Sequence, residues 1–402
     1  MPGFDDGQGA NMKVRSWASL WLVLPFALAG CKGFWDLPAS TTTTTPTTLS
    51  SGVFYVLDQT AKEIAGYSIS SGTLDAVSGS PYMLSAAPYS IAIAPGGGYL
   101  YVGTVNGIYL YTIGSGGALT IANSGATISS DIPSAMQVSG SWLVDAFAPA
   151  TGTVQLDAIP VNSSNGLYSG GSVVTQSFSI ANATVVQMVL SPDGDNLFLA
   201  LGTGGSMVVP FSSGSSSPLG GTAKTIGVLN SGGSAFSVAV DPSNRVFYIG
   251  ETLANSTASS GGLRVFNYSS LSGTLTQASG SPIATGGLAP HAILPIASGD
   301  YVYVANGGSD TANGNIAWFP LTASGTTYTI ASGSSIASGI QPVGLAEDSD
   351  DHFVLAISSG GTTSSGNPDL DAYTMSSGAL TAAITSKTGT DPVGAVAIAA
   401  VP

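Results

Sequence analysis

The chain is short of cations. Of its 402 residues eight are Lys or Arg, against 22 Asp or Glu, giving a formal net charge of −14, and charged residues of every kind make up 7%. Phosphate recognition needs clustered Lys and Arg, so a nucleic-acid partner is excluded. The surface must instead be covered by Ser, Thr, Asn and Gly, which suits an exported all-β protein with many tight turns. Histidine is nearly absent, with only His291 and His352, and Cys31 is the single cysteine. A disulfide framework within the chain is therefore ruled out, and a zinc site has no basis. No Gly-x-Ser-x-Gly occurs, and Gly202-Thr-Gly-Gly205 has neither the lysine nor the helix of a phosphate loop. The acidic stretch Glu347-Asp-Ser-Asp-Asp351 lacks the glycine and distal glutamate of a calcium loop and reads as a solvated hairpin. No cofactor or metal is expected.

What is present begins with an address. Met12-Lys-Val-Arg15 supplies a basic start, and the apolar run from Trp17 to Leu28 is too short to span a membrane as a helix. It ends in Leu28-Ala-Gly-Cys31, which resembles the lipobox of bacterial lipoproteins, in which the cysteine is lipidated and becomes the new N-terminus. Residues 1–30 are expected to be a signal segment, with Met12 a second candidate start. Residues 31–52 include Ser40-Thr-Thr-Thr-Thr-Thr-Pro-Thr-Thr48, with almost nothing to bury, and are expected to be a flexible tether. The picture is an exported protein held at the cell envelope through lipidated Cys31.

From residue 53 to 402 one unit recurs. Its best copy is Ala87 to Thr104, where an alternating apolar strand, a Pro-Gly-Gly-Gly turn and a second strand, Tyr99-Leu-Tyr-Val-Gly-Thr104, read as a β-hairpin. Taking Phe54, Leu100, Leu143, Leu197, Phe247, Val302 and Val354 as equivalent, the steps are 46, 43, 54, 50, 55 and 52 residues. That period in an all-β sequence predicts a propeller of seven four-stranded antiparallel blades. The body opens on a second-type strand at Val53 and finishes on a first-type strand near Val393 to Val401, so the last strand is expected to complete the first blade and close the ring.

These residues resemble the seven-bladed lactonase-like propellers related to bacterial 6-phosphogluconolactonase and the Tyr-Val-Thr-Asn repeat propellers. The resemblance rests on Ser191-Pro-Asp-Gly194 before Leu197-Phe-Leu-Ala200, on Tyr301-Val-Tyr-Val-Ala-Asn306, and on the copies Gly72-Thr-Leu74 and Gly273-Thr-Leu275. It implies an active site at the mouth of the central channel, with Glu251 placed like a glutamate that ends a second strand and His291 like a histidine that opens a first strand. The chain departs from the family where charge is expected: it has Ala87-Pro-Tyr89, Gln341-Pro-Val343 and Asn306-Gly-Gly308, and the arginines of those motifs are missing. A dianionic phosphosugar lactone would meet no cation there on a protein of net charge −14.

Two readings follow. The first is a monomeric, non-catalytic binding or structural propeller whose loop face or channel mouth takes a protein, a glycan or a small neutral ligand. The alternative is a lactonase acting on a neutral lactone or sugar ester, with Glu251 as general base and His291 assisting.

Overall fold

The computed structural model describes residues 52–70, 73–256, 260–269, 274–308, 313–360, 369–385 and 394–402. The signal segment, Cys31 and the Thr-rich tether lie outside the described residues. Among the described residues there is no α-helix, hence none long and apolar enough to cross a membrane. All regular structure beyond two short 3-10 turns is antiparallel sheet.

The hairpin at Ala87–Thr104 forms as its sequence predicts. Pro88–Ile93 pairs with Tyr99–Thr104, Ile91 opposite Val102 and Ile93 opposite Leu100. The turn between them needs left-handed backbone at Gly96 and Gly97, with φ of 94° and 70°, which glycine adopts without a Cβ penalty. Six more sheets repeat the plan. Their inner strands are Ala135–Ser139, Gln187–Leu190, Ala235–Val240, Leu288–Pro295, Pro342–Glu347 and Ala395–Ala400, each followed outward by a second, third and fourth strand. We number the blades one to seven by their second strands: Gly52–Asp58, Tyr99–Thr104, Trp142–Ala150, Asn196–Ala200, Val246–Glu251, Tyr301–Gly307 and Phe353–Ser358. Blades one, five and six carry a fifth short strand. In blade six the long third strand Asn313–Ser324 pairs with Ser334–Ile340 along its first half and with Thr327–Ile330 along its second.

Blade one is completed from the far end of the chain. Ala395–Ala400 pairs antiparallel with Gly52–Asp58, Phe54 opposite Ala400 and Val56 opposite Ile398. The core consists of seven apolar clusters, one at each interface between neighbouring blades. At the closure, Phe353, Leu355 and Ile357 of blade seven pack on Phe54, Val56 and Tyr67 of blade one. On its other face blade one sets Tyr55 and Leu57 against Leu100 and Val102 of blade two. Each fully buried Phe or Leu side chain contributes about 1.5–3 kcal/mol. Tyrosines at one second-strand position also latch blade to blade. Tyr55, Tyr101 and Tyr303 donate from Oη to the carbonyls of Gly117, Gly166 and Gly378, at 2.6, 2.8 and 3.2 Å, each on the following blade.

Removing residues 394–402 should expose both the edge of Gly52–Asp58 and half of an inter-blade cluster. Calorimetry of the truncated protein should show loss of the single sharp unfolding transition. A melting profile like that of the full chain would contradict the closure.

Candidate ligand site at the channel mouth

The seven inner strands enclose a cavity of about 380 Å³ on the ring axis. Its rim is shaped by β-bulges. The pairing of inner with second strand slips by one residue at Tyr89, Phe236, His291 and Val343, so each of these has no partner opposite it. A bulge at a barrel rim re-aims the extra side chain, and all four residues line the cavity. In blades two, six and seven the bulge follows a proline, at Pro88, Pro290 and Pro342; Ala289 and Gln341, just before two of them, take left-handed backbone with φ of 44° and 54°.

His291 is the best-defined of these side chains. Its imidazole lies over the ring of Phe236 from the neighbouring blade, centroids 5.1 Å apart and planes within 10°. Gly307 makes the space, since a Cβ there would lie 2.9 Å from His291 Cδ2. Burial lowers the His291 pKa below its ordinary 6.5 and favours the neutral ring. Tyr89, 41% exposed, faces the opening, and Ser90, Ser134, Gln137 and Gln187 supply the polar atoms of the wall. Among the described residues the wall contains no Lys, Arg, Asp or Glu.

Glu251 is placed differently. It ends its second strand opposite Ala235, at the same end of the ring as His291, yet it is 2% exposed and is not part of the channel wall. Its side chain belongs to the face turned towards blade four, with Phe247 and Ile249. Arg264 Nη1, on the adjacent third strand, donates to Glu251 Oε1 at 2.7 Å and to the Gly227 carbonyl at 2.9 Å, and the Leu229 backbone N–H donates to Oε2 at 3.1 Å. The guanidinium also lies 5.1 Å from the Phe266 ring centroid. The structure thus brings His291 into the channel and holds Glu251 in a buried ion pair between blades.

Phe236 and Arg264 are the residues that sequence reasoning misses. Phe236 lacks the preceding proline that marks the bulges at Tyr89, His291 and Val343. Arg264 is visible as one of only eight cations, but its partner lies across a strand pair. His352 and the acidic turn behave as a hairpin: Asp348 Oδ1 accepts from the backbone N–H groups of His352 and Phe353 at 2.8 and 2.6 Å. Trp142 and Tyr373 are buried between blades, and Trp318 packs at their edge.

Ring, bulged rim and uncharged channel define the class: a seven-bladed β-propeller with its candidate site on the axis. No family model matches the chain, and no curated protein matches it in sequence. Solved structures do share the fold. A candidate 6-phosphogluconolactonase of Bacteroides uniformis superposes with a TM-score of 0.66 at 16% identity, covering 88% of this chain and 100% of that one. A second, from Bacteroides fragilis, gives 0.66 at 14% identity over 89% and 100%. The periplasmic gluconolactonase of Pseudomonas aeruginosa gives 0.64 at 19% identity, over 88% and 99%. The chain has the fold of these lactonase-like propellers.

Replacing Arg264 by Met should strand the Glu251 carboxylate and destabilise the protein by about 3–5 kcal/mol in chemical denaturation. The double variant Glu251→Gln with Arg264→Met should recover most of that loss. A single-variant effect below about 1 kcal/mol, the size of an exposed pair, would contradict a buried bridge.

Proposed function

We propose that this protein is a cell-envelope lipoprotein, exported and anchored through Cys31, whose propeller binds a small neutral ring-shaped ligand at the channel mouth. The observation that carries the ligand class is the wall itself: Tyr89, Phe236 and His291 offer ring faces, serines and glutamines offer hydrogen bonds, and no formal charge is present. Aromatic faces with a few polar groups suit sugars and sugar lactones, and 380 Å³ has room for one such ring. The anchor rests on the order of basic start, apolar run and Leu28-Ala-Gly-Cys31. The protein acts as a binding module in this reading, with its loop face free for a protein or glycan partner.

Hydrolysis of the bound ring is a second reading, favoured by the gluconolactonase names of structures with the same fold. Within it His291, kept neutral by burial, is the group able to accept a proton from water at the mouth. Glu251 would first have to leave Arg264.

Calorimetric titration of the purified protein with glucono-δ-lactone and other neutral lactones tests both. Binding should weaken about fivefold, or ~1 kcal/mol, in each of Tyr89→Ala and His291→Ala. Affinity unchanged by either variant would remove the channel mouth as the site. Turnover of the same lactone above buffer, lost in His291→Ala, would replace binding by hydrolysis; turnover lost in Glu251→Gln but retained in His291→Ala would restore Glu251 as the base.

A further inference from the structure

Blade three breaks its own repeat. Counting from Leu143 and its equivalents, the next residue but one is Val56, Val102, Leu199, Ile249, Val304 or Ala356 in six blades, and Asp145 in blade three. Asp145 is 0% exposed and stands directly opposite Asp157 on the adjacent third strand, itself 5% exposed. Like charges opposed across a strand pair repel. Both side chains belong to the face turned towards blade two, the face on which Leu143 and Ile159 pack against Tyr101, Ile108 and Leu110. Asp131, half-buried in the connection from blade two, brings a third carboxylate, and oxygens of the three lie within 4.8 Å of one another.

The donors present do not neutralise the cluster. Ser129 Oγ donates to Asp131 Oδ2 at 2.5 Å, and Gln155 Nε2 to Asp157 Oδ2 at 2.9 Å. Both oxygens of Asp145 and Oδ1 of Asp157 are buried without a hydrogen-bond partner, though the backbone N–H of Asp157 faces the Asp145 carboxylate. Two other blades show how the same slot is filled. Asp157 pairs with Asp145 as Arg264 pairs with Ile249, so in blade five this third-strand position holds the arginine that neutralises Glu251. In blade seven the position holds Asp371, which accepts from Tyr373 Oη at 3.1 Å and Ser338 Oγ at 3.3 Å. Blade three has neither an arginine nor hydroxyl donors to Asp145.

We propose that Asp131, Asp145 and Asp157 bind one hard divalent cation, calcium in the first instance, in the slot between blades two and three. Carboxylate oxygens alone select a hard ion over zinc or copper. Two ligands of one calcium, each at about 2.4 Å, lie at most about 4.8 Å apart, and the spread of this cluster meets that limit. Backbone carbonyls and water would complete the shell, entering on the half-exposed Asp131 side. The ion would bridge the interblade connection to two strands, much as Arg264 ties Gly227 to Glu251.

Calcium titrated calorimetrically into the chelator-treated full-length protein should bind at one ion per chain and raise the thermal midpoint. Asp145→Asn should abolish both effects, and in chelator its midpoint should equal or exceed that of the wild type, because the repulsion is gone. Asp131→Asn, at the open side, should weaken calcium binding about tenfold or more, and serves if Asp145→Asn fails to fold. No uptake of calcium, magnesium or manganese by the wild type would overturn the proposal, leaving protons as the neutralising charge. Binding retained at wild-type affinity in the variants would overturn it too, moving the ion to another acidic group such as the Glu347–Asp351 turn.

Discussion

The pairing of Ala395–Ala400 with Gly52–Asp58 is the constraint on which the rest of the molecule depends. A blade is a small sheet with two apolar faces and cannot bury both alone. Each face is covered only if every blade has a neighbour on either side, which a ring provides and an open stack does not. The seven apolar clusters, one per interface, are that condition met. Closure also fixes the radius at which the inner strands stand, and so creates the axial cavity. The site is thus a property of the ring, with each blade adding between one and four lining residues.

A second constraint is the scarcity of positive charge. Eight cations serve 22 acids, so a carboxylate turned inwards seldom finds a Lys or Arg. Glu251 finds Arg264, Asp371 finds two hydroxyls, and Asp348 and Asp241 are spent on backbone N–H groups of hairpin turns. Among the described residues the channel wall avoids the problem by carrying no formal charge. That economy gives the candidate site its character: ring faces and amides without a charged side chain among the described wall residues, in a field of net charge −14 that disfavours anions.

Much of this was legible in the chain. The second strands announce themselves by β-branched and aromatic residues at a period near fifty, and the unmatched strands at the two ends imply closure. The position of His291 and Tyr89 after Ala-Pro marks them as rim residues, and both line the cavity. What sequence hides is which face of a blade a residue occupies and where the register slips. Glu251 reads as a mouth residue because it ends a second strand, yet alternation turns its carboxylate towards blade four, where Arg264, 13 residues on, is waiting. Phe236 enters the mouth through a bulge that no proline announces. Asp131, Asp145 and Asp157 read as scattered acids until the strand pairing sets two of them face to face.

An uncharged channel mouth should select a neutral ligand over a charged one. That selectivity is tested most directly by comparing the affinity of the protein for a neutral six-membered sugar lactone with that for its phosphorylated counterpart, at low and at physiological ionic strength. The neutral compound should bind at least about tenfold more tightly, a difference of ~1.4 kcal/mol, with an affinity insensitive to salt. Tighter binding of the phosphorylated compound, weakening as salt is added, would contradict it.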